Sequence, residues 1–330
     1  MTTKHNRPAL TLSVVLAALT AAGLATTIPA SAQASNPDAT VRSAAGAGAD
    51  DVKGAVEQFR ADLGGGSVAA ANGSFGGVRR EINWDGVPDQ FSAPNDFPSD
   101  FFNTRSPRGA VFSTPGLSFM VSSKAVTNVP VRFGNINPIY VRDFSAFSAE
   151  RLFTPISSTI TDVAFFIPGT KIPAVVTGFG AIFTDVDNPE SSSIALYDAN
   201  NTLIKRYTVA ASAGNGTQSF LGVSLPGPAR IARVRIESGQ QTLADGTEDS
   251  AQRSRDKVAL DDFIYTEPVV IPSPTTGLTT GPTTGTASTP AEAATVTTVV
   301  TSTAKPVLVL SPTTTVAKPN KRRATTTSRR

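Results

Sequence analysis

The feature that most constrains the fold is the succession of short apolar runs between Arg79 and Glu267. β-Branched and aromatic residues alternate there with Gly, Pro, Asn and Asp, and no helical periodicity is visible. In Arg233–Glu237 the alternation is strict, because Val234 and Ile236 stand between charged residues. Such a pattern places one face of a strand against a core and the other against water.

This alternation of apolar runs and turn residues predicts about eleven strands at nearly regular spacing, with no internal repeat. They are expected at 79–84, 109–113, 117–122, 129–133, 162–167, 174–184, 193–198, 202–209, 218–223, 229–237 and 258–265. Gly178 and Gly180 mark a place for a bulge or for close packing. We therefore expect an all-β fold, an antiparallel two-sheet jelly-roll-like sandwich over residues 79–267.

The residues before the sandwich have a different composition. Residues 1–32 fit a secretory signal peptide, with a short basic start, an apolar run and small residues at the cleavage position. The alternative is an uncleaved membrane anchor. Residues 33–78 are expected to be a mobile leader that contains one short amphipathic helix at about 50–63. The residues at helical spacing are Val52, Val56, Phe59 and Leu63.

The residues after the sandwich, 268–330, are rich in Thr and Pro and carry basic clusters. We expect a disordered basic tail, because this composition cannot bury a core. Segment 33–268 holds 20 basic and 25 acidic residues, a net charge of −5. The folded part is therefore not expected to bind nucleic acid, nor to span a membrane after processing. The sequence leaves the oligomeric state open.

The lack of Cys and His after residue 32 restricts the possible catalytic and metal-binding chemistry most. The chain has no Cys, and its one His is His5, inside the predicted signal peptide. This excludes Ser-His-Asp and Cys-His nucleophilic sites and ordinary zinc, copper and haem sites in the processed chain. Carboxylate, Lys and Tyr chemistry remains, as do hard cations held by oxygen. No catalytic residue is assigned.

Four aspartates are candidate calcium ligands. Asp261 and Asp262 are adjacent in the closing strand, where a regular strand would point them to opposite faces. Asp185 and Asp187 alternate in an oxygen-rich loop. Ca²⁺ takes six to eight oxygens, so, if these residues are functional, one stabilising ion shared by both pairs is the expected ligand. The alternative is that these residues only shape turns and strand ends.

Trp84, with Asn83 and Asp85, is the candidate ligand-binding set. An exposed indole can stack on a sugar ring while the neighbouring oxygens bind its hydroxyls. The alternative is a tryptophan packed in the core. A glycosidase would need two carboxyl groups facing a cleft, and spacing favours no particular pair. The carboxylates considered for such a pair are Glu81, Asp85, Asp185 and Asp262.

The segments GFGAIFTDVD, YDANNTLIKRY, SFLGVSL, IARVRIESG and VALDDFIY resemble a type of secreted bacterial β-sandwich protein that often carries a PEP-CTERM sorting tail. The resemblance covers about residues 175–265. ALDDF is also similar to the closing strand of MAM-type jelly rolls, in which the corresponding Asp lies near a calcium site. This implies an extracellular jelly roll and singles out Asp261 or Asp262. The chain departs from the sorting type because no Pro-Glu-Pro motif and terminal hydrophobic helix follow.

These observations together predict a secreted, non-catalytic module at the cell surface or outside the cell. Its expected role is extracellular recognition or matrix association, with a polysaccharide or cell-wall polymer as partner. Two alternatives remain open. One is a structural or adhesive surface protein without a small ligand, and the other is a carboxylate-dependent glycosidase or lyase.

Overall fold

A computed structural model describes residues 38–65, 78–244, 246–249 and 255–271. The predicted signal peptide and the tail beyond residue 271 lie outside these ranges. Among the described residues, no helix is long and apolar enough to cross a membrane.

The described residues form fourteen strands and a few short helices. The strands are β1 (Thr40–Gly46), β2 (Arg79–Ile82), β3 (Ala110–Ser113), β4 (Ser118–Val121), β5 (Phe153–Ile156), β6 (Ile160–Phe165), β7 (Ala174–Val175), β8 (Gly178–Thr184), β9 (Ser193–Tyr197), β10 (Leu203–Thr208), β11 (Gln218–Ser224), β12 (Arg233–Glu237), β13 (Ala259–Thr266) and β14 (Val269–Val270). The helices are α1 (Ala49–Asp62), α2 (Phe101–Thr104), α3 (Tyr140–Asp143) and a 3₁₀ turn at Asp89–Phe91.

Two antiparallel sheets make up the body of the fold. The seven-stranded sheet has the order β1-β11-β8-β13-β5-β4, with β2 also paired to β13. The five-stranded sheet has the order β10-β9-β12-β6-β3, and β14 pairs with β7 in a small separate ribbon. The prediction of an all-β, jelly-roll-like sandwich is confirmed.

The main core lies between the two sheets. Phe179 and Phe263 of the seven-stranded sheet pack with ring centroids 5.5 Å apart. Val234 and Ile236 of β12 join the same cluster and are fully buried. The strict alternation in β12 therefore follows directly from one face meeting this core and the other meeting solvent.

Helix α1 covers the outer face of the seven-stranded sheet, where Phe59 is fully buried. The ring lies over Gly180 and Gly222, which are paired across β8 and β11. A Cβ atom at Gly222 would stand 2.6 Å from Phe59 Cγ, and one at Gly180 would stand 2.8 Å from Phe59 Cε1. These glycines are therefore needed for close packing, since any larger residue would push the ring away.

The expectation of a mobile leader before residue 79 is wrong for the part that the structure describes. β1 pairs along its whole length with β11 and forms an edge of the seven-stranded sheet. Helix α1 follows it at once and packs on the same sheet. Small residues suit β1 because its stability comes from the backbone ladder. A Cβ atom at Gly46, for example, would lie 2.3 Å from Asp51 Cβ.

Two further differences concern the segment between β4 and β6. The predicted strand at 129–133 is a series of turns with one isolated bridge, between Ser123 and Val131. The strand β5 was not predicted, and it pairs with β4 over its full length. Both errors come from short apolar runs, which strands and buried loops share.

We predict that Gly222→Ala lowers the free energy of unfolding by about 1–3 kcal/mol, because the added methyl group overpacks the contact with Phe59. In a Phe59→Ala background the same change should cost less, since that variant lacks the Cγ and Cδ2 atoms that the added methyl group would meet. Urea unfolding of the four proteins measures both values.

The matched control is Gly54→Ala on the exposed side of α1. A Cβ atom there meets nothing within 4 Å. It should stabilise the protein by up to about 1 kcal/mol through helix propensity. Equal losses at Gly222 in both backgrounds would contradict the packing explanation.

Candidate functional site

Trp84 lies in the core, with 1% of its surface exposed. Its ring stacks on Phe153 at a centroid distance of 4.2 Å, and Phe97 and Phe102 pack against it edge-on. Its Nε1 donates a hydrogen bond to the Asp261 carbonyl oxygen at 3.0 Å. The prediction that Trp84 stacks on a sugar is therefore wrong, because surrounding side chains already occupy the space around the ring.

The two residues beside Trp84 do not form a binding site with it either. Asn83 is exposed. Asp85 is half-buried, and its Oδ1 accepts a hydrogen bond from the Arg151 backbone N–H at 3.1 Å. Burial raises the pKa of Asp85. Asp85 thus holds the start of the β5 segment in place.

Strand β13 contains an extra residue at the position of the adjacent aspartates. Leu260 pairs with Phe183 and Phe263 pairs with Ala181, so two residues of β13 stand opposite one residue of β8. This is a β-bulge, and it interrupts the alternation of side chains. The expectation that the two carboxylates point to opposite faces is therefore wrong.

Asp261 and Asp262, here called the closed acid pair, both contact the same serine. Ser148 Oγ lies 2.8 Å from Asp262 Oδ1 and 3.3 Å from Asp261 Oδ1. The Phe147 backbone N–H donates to Asp261 Oδ2 at 2.6 Å. Burial, and then the charge of Asp262, raises the pKa of Asp261 well above its usual value. Burial also raises the pKa of Asp262 to about 6.

The carboxyl groups around the closed acid pair have separated pKa values, as in a glycosidase site, but they do not face an open cleft. The pKa values of Asp261 and Asp262 are raised, whereas that of Glu81 is lowered. Burial acts to raise the pKa of nearby Glu81, but hydrogen bonds from Arg60 and Arg79 outweigh it and lower that pKa. Carboxyl groups with separated pKa values suit acid and nucleophile roles. Asp262, however, is only 3% exposed, and Arg60 of α1 is close enough to act on its charge. A polymer cannot reach it in this conformation.

Asp185 stands at the end of β8 in a second acidic region. Its backbone has a left-handed φ of 73°, which Asp and Asn tolerate better than most residues. Its side chain is 1% exposed, and neither carboxylate oxygen has a hydrogen-bond partner among the residues that the structure describes. Burial, followed by repulsion from neighbouring carboxylates, raises its pKa to about 9. In order of decreasing effect, those neighbours are Asp249, Asp187, Asp143 and Asp256.

We call these five residues the Asp185 cluster. Unlike Asp185, its other members accept hydrogen bonds. Asp187 Oδ1 accepts from the Gly214 N–H at 2.7 Å, and Asp143 Oδ1 accepts from Asn215 Nδ2 at 2.6 Å. Within the described ranges, no three acidic groups are arranged so that together they could hold a metal ion.

The two predicted pairs of calcium ligands belong to different surroundings. Asp185 and Asp187 lie in the Asp185 cluster, whereas Asp261 and Asp262 lie beneath Ser148. The carboxylates that act most strongly on Asp185 do not include either member of the closed acid pair. A single ion shared by all four residues is therefore not supported. Sequence reasoning also missed Asp143, Asp249 and Asp256, which come from distant parts of the chain.

An open groove of about 250 Å³ lies on the outer face of the five-stranded sheet. It was not predicted. Tyr197 of β9 forms part of its wall, and the Arg233 guanidinium stacks on that ring at 3.7 Å from its centroid. The lining residues are Ile160, Ser193, Ala195, Tyr197, Leu203, Arg206, Arg235 and Glu237.

Ion pairs hold the charged side chains of this groove in place. Arg235 Nη2 lies 2.7 Å from Asp162 Oδ2, and Arg233 also pairs with Asp162. Arg206 pairs with Glu237 and donates to Ser193 Oγ at 2.9 Å. The groove therefore presents an aromatic ring beside oriented donors and acceptors, an arrangement that suits a polar ligand with apolar faces.

Comparisons with known proteins give weak similarities only. No family model matches the chain, and no curated protein matches it. A family 29 carbohydrate-binding module from Piromyces equi is 8% identical, with a TM-score of 0.21 over 48% of this chain and 91% of that one. A mutant family 29 module complexed with cellulohexaose is also 8% identical, with a TM-score of 0.20 over 48% and 92%.

The enzymatically active domain of the bacteriophage CBA120 tailspike protein 4 is 12% identical, with a TM-score of 0.24. That match covers 55% of this chain and 22% of the tailspike chain. With TM-scores this low, none of these similarities shows a fold or a function for this protein.

We predict that Asp262→Asn flattens the pH dependence of stability between about pH 4 and pH 6. Asp262 has a pKa of about 6 in the fold and an ordinary value of 3.8. The folded state therefore binds the proton more tightly, and this contribution is present below pH 4 and lost as the pH rises through 6. The loss should be roughly 1–3 kcal/mol.

Urea unfolding at a series of pH values measures this slope. The exposed Asp100→Asn variant is the control and should keep the wild-type slope. Identical slopes in Asp262→Asn and the wild type would contradict the assigned burial of the carboxyl group.

Proposed function

We propose that this chain is a secreted, non-catalytic extracellular module that recognises carbohydrate through the groove around Tyr197. One observation carries the proposal. The groove combines an aromatic ring with fixed donors and acceptors on a part of the sheet that is open to solvent. Sugar rings offer apolar C–H faces for stacking and hydroxyl groups at their edges, so these features complement them.

The charges of the groove indicate the class of carbohydrate. Each of its two arginines already has a carboxylate partner, namely Glu237 for Arg206 and Asp162 for Arg235. Binding an acidic sugar would compete with these pairs. A neutral or weakly charged polysaccharide needs only hydrogen bonds from the same groups, so it is the better match.

The position of the groove supports a binding role rather than catalysis. The buried carboxylates with the largest pKa changes, Asp185 and the closed acid pair, are not among the residues that line it. Its own acidic lining residue, Glu237, is paired with Arg206. Export is supported by the signal-like residues 1–32.

We predict that Tyr197→Ala weakens binding of a neutral polysaccharide by about ten-fold, because an aromatic stacking contact contributes roughly 1–1.5 kcal/mol. The variant should remain folded, since Tyr197 is on the outer face of the sheet. Isothermal titration calorimetry with soluble cello-oligosaccharides, β-1,3-glucan and mannan, beside acidic alginate, measures affinity and class together.

Leu117→Ser is the control, because Leu117 is 82% exposed and lies between β3 and β4, outside the groove. It should bind as the wild type does. The proposal fails if none of the neutral polysaccharides binds, or if Tyr197→Ala binds them as tightly as the wild type. Self-association of the purified chain without glycan binding would instead favour an adhesive protein.

A further inference from the structure

The buried carboxylate of Asp185 needs hydrogen-bond donors or a cation, and the described residues supply neither to it. Both of its oxygens are buried and have no hydrogen-bond partner. The four neighbouring charges that act on it most strongly are all carboxylates. An ionised carboxylate in such surroundings is costly unless a cation or hydrogen-bond donors lie beside it.

A proton alone does not solve this problem. Protonation removes the charge, but the new hydroxyl group then requires an acceptor. Among the described residues, neither Asp185 oxygen has a hydrogen-bond partner. Neutral Asp185 would therefore remain a buried polar group that needs a partner, which also costs stability.

We propose that the Asp185 cluster binds one Ca²⁺ ion, with Asp185 as the central ligand and Asp249 as the second carboxylate. Asp249 is the neighbour whose charge acts most strongly on Asp185. Asp143, Asp187 and Asp256 add negative potential and keep their own hydrogen bonds. For Asp256 that bond comes from the Asn188 backbone N–H, 3.0 Å from Oδ2. This proposal is independent of the groove around Tyr197.

The chemistry of the cluster favours calcium over other cations. His and Cys are missing from the processed chain, so soft and borderline metals have no preferred ligands. Because no three acidic groups of the described residues are arranged to hold an ion together, carbonyl oxygens and water must complete the shell. Ca²⁺ accepts such irregular sets, whereas Mg²⁺ demands near-octahedral geometry.

The test is thermal unfolding of the full chain, stripped of metal, in EDTA, millimolar CaCl₂ or millimolar MgCl₂. Calcium should raise the melting temperature by about 5–10 °C at a hundred-fold excess over its dissociation constant. Calorimetric titration with CaCl₂ should give one site. Magnesium should have a clearly smaller effect.

Asp185→Asn is the decisive variant, because Asn tolerates the same left-handed backbone and has no charge. It should melt at or above the temperature of the metal-free wild type and show no calcium shift. Asp249→Asn should lower calcium affinity about ten-fold, and exposed Asp100→Asn should respond as the wild type does.

Three results would overturn the proposal. The first is a wild-type melting temperature that is the same in calcium and in EDTA, with no heat of binding. The second is an undiminished calcium shift in Asp185→Asn, which would place the ion elsewhere. The third is an equal shift with magnesium, which would show a general effect of divalent cations.

Discussion

The contact of Phe59 with two paired glycines determines which surface of the sandwich is free. Gly180 and Gly222 leave a shallow space on the seven-stranded sheet, and the Phe59 ring fills it. Helix α1 can therefore lie close to the sheet and bury its outer face. The outer face of the five-stranded sheet instead carries the alternating charged residues of β12. The groove around Tyr197 lies on that face, so α1 covers the outer face of one sheet and the proposed binding surface lies on the outer face of the other.

The extra residue in β13 explains two sequence features that had suggested separate sites. It brings Asp261 and Asp262 to the same serine. The carbonyl oxygen of Asp261 is at the same time the acceptor for the Trp84 indole. The tryptophan and the aspartate pair therefore form one structural unit. In it, the Trp84 indole binds the backbone carbonyl of the bulge, and Ser148 binds the two carboxylates. A ligand could reach Trp84 or the aspartate pair only if this unit opened.

Sequence reasoning succeeded where the signal was local and failed where it depended on strand register. The alternation in Arg233–Glu237 predicted a half-buried strand, and the turn residues predicted a sandwich. Strand β1 gave no signal, because its small residues are held by the ladder with β11. The bulge in β13 could not be predicted, since it appears only when β13 is paired with β8. The groove likewise arises because β9 and β12 are neighbours in the sheet.

The Asp185 cluster holds more negative charge than its hydrogen bonds require. Asp187 accepts a hydrogen bond that the side-chain oxygen of an asparagine would accept equally well, whereas Asp143 also pairs with the exposed Arg142. Asparagine at position 187 would avoid both the desolvation of a carboxylate and part of the repulsion that raises the pKa of Asp185. A bound cation changes this balance, because it turns mutual repulsion into shared attraction. The excess of carboxylates is thus a physical argument for an ion, and it is separate from the missing partners of Asp185.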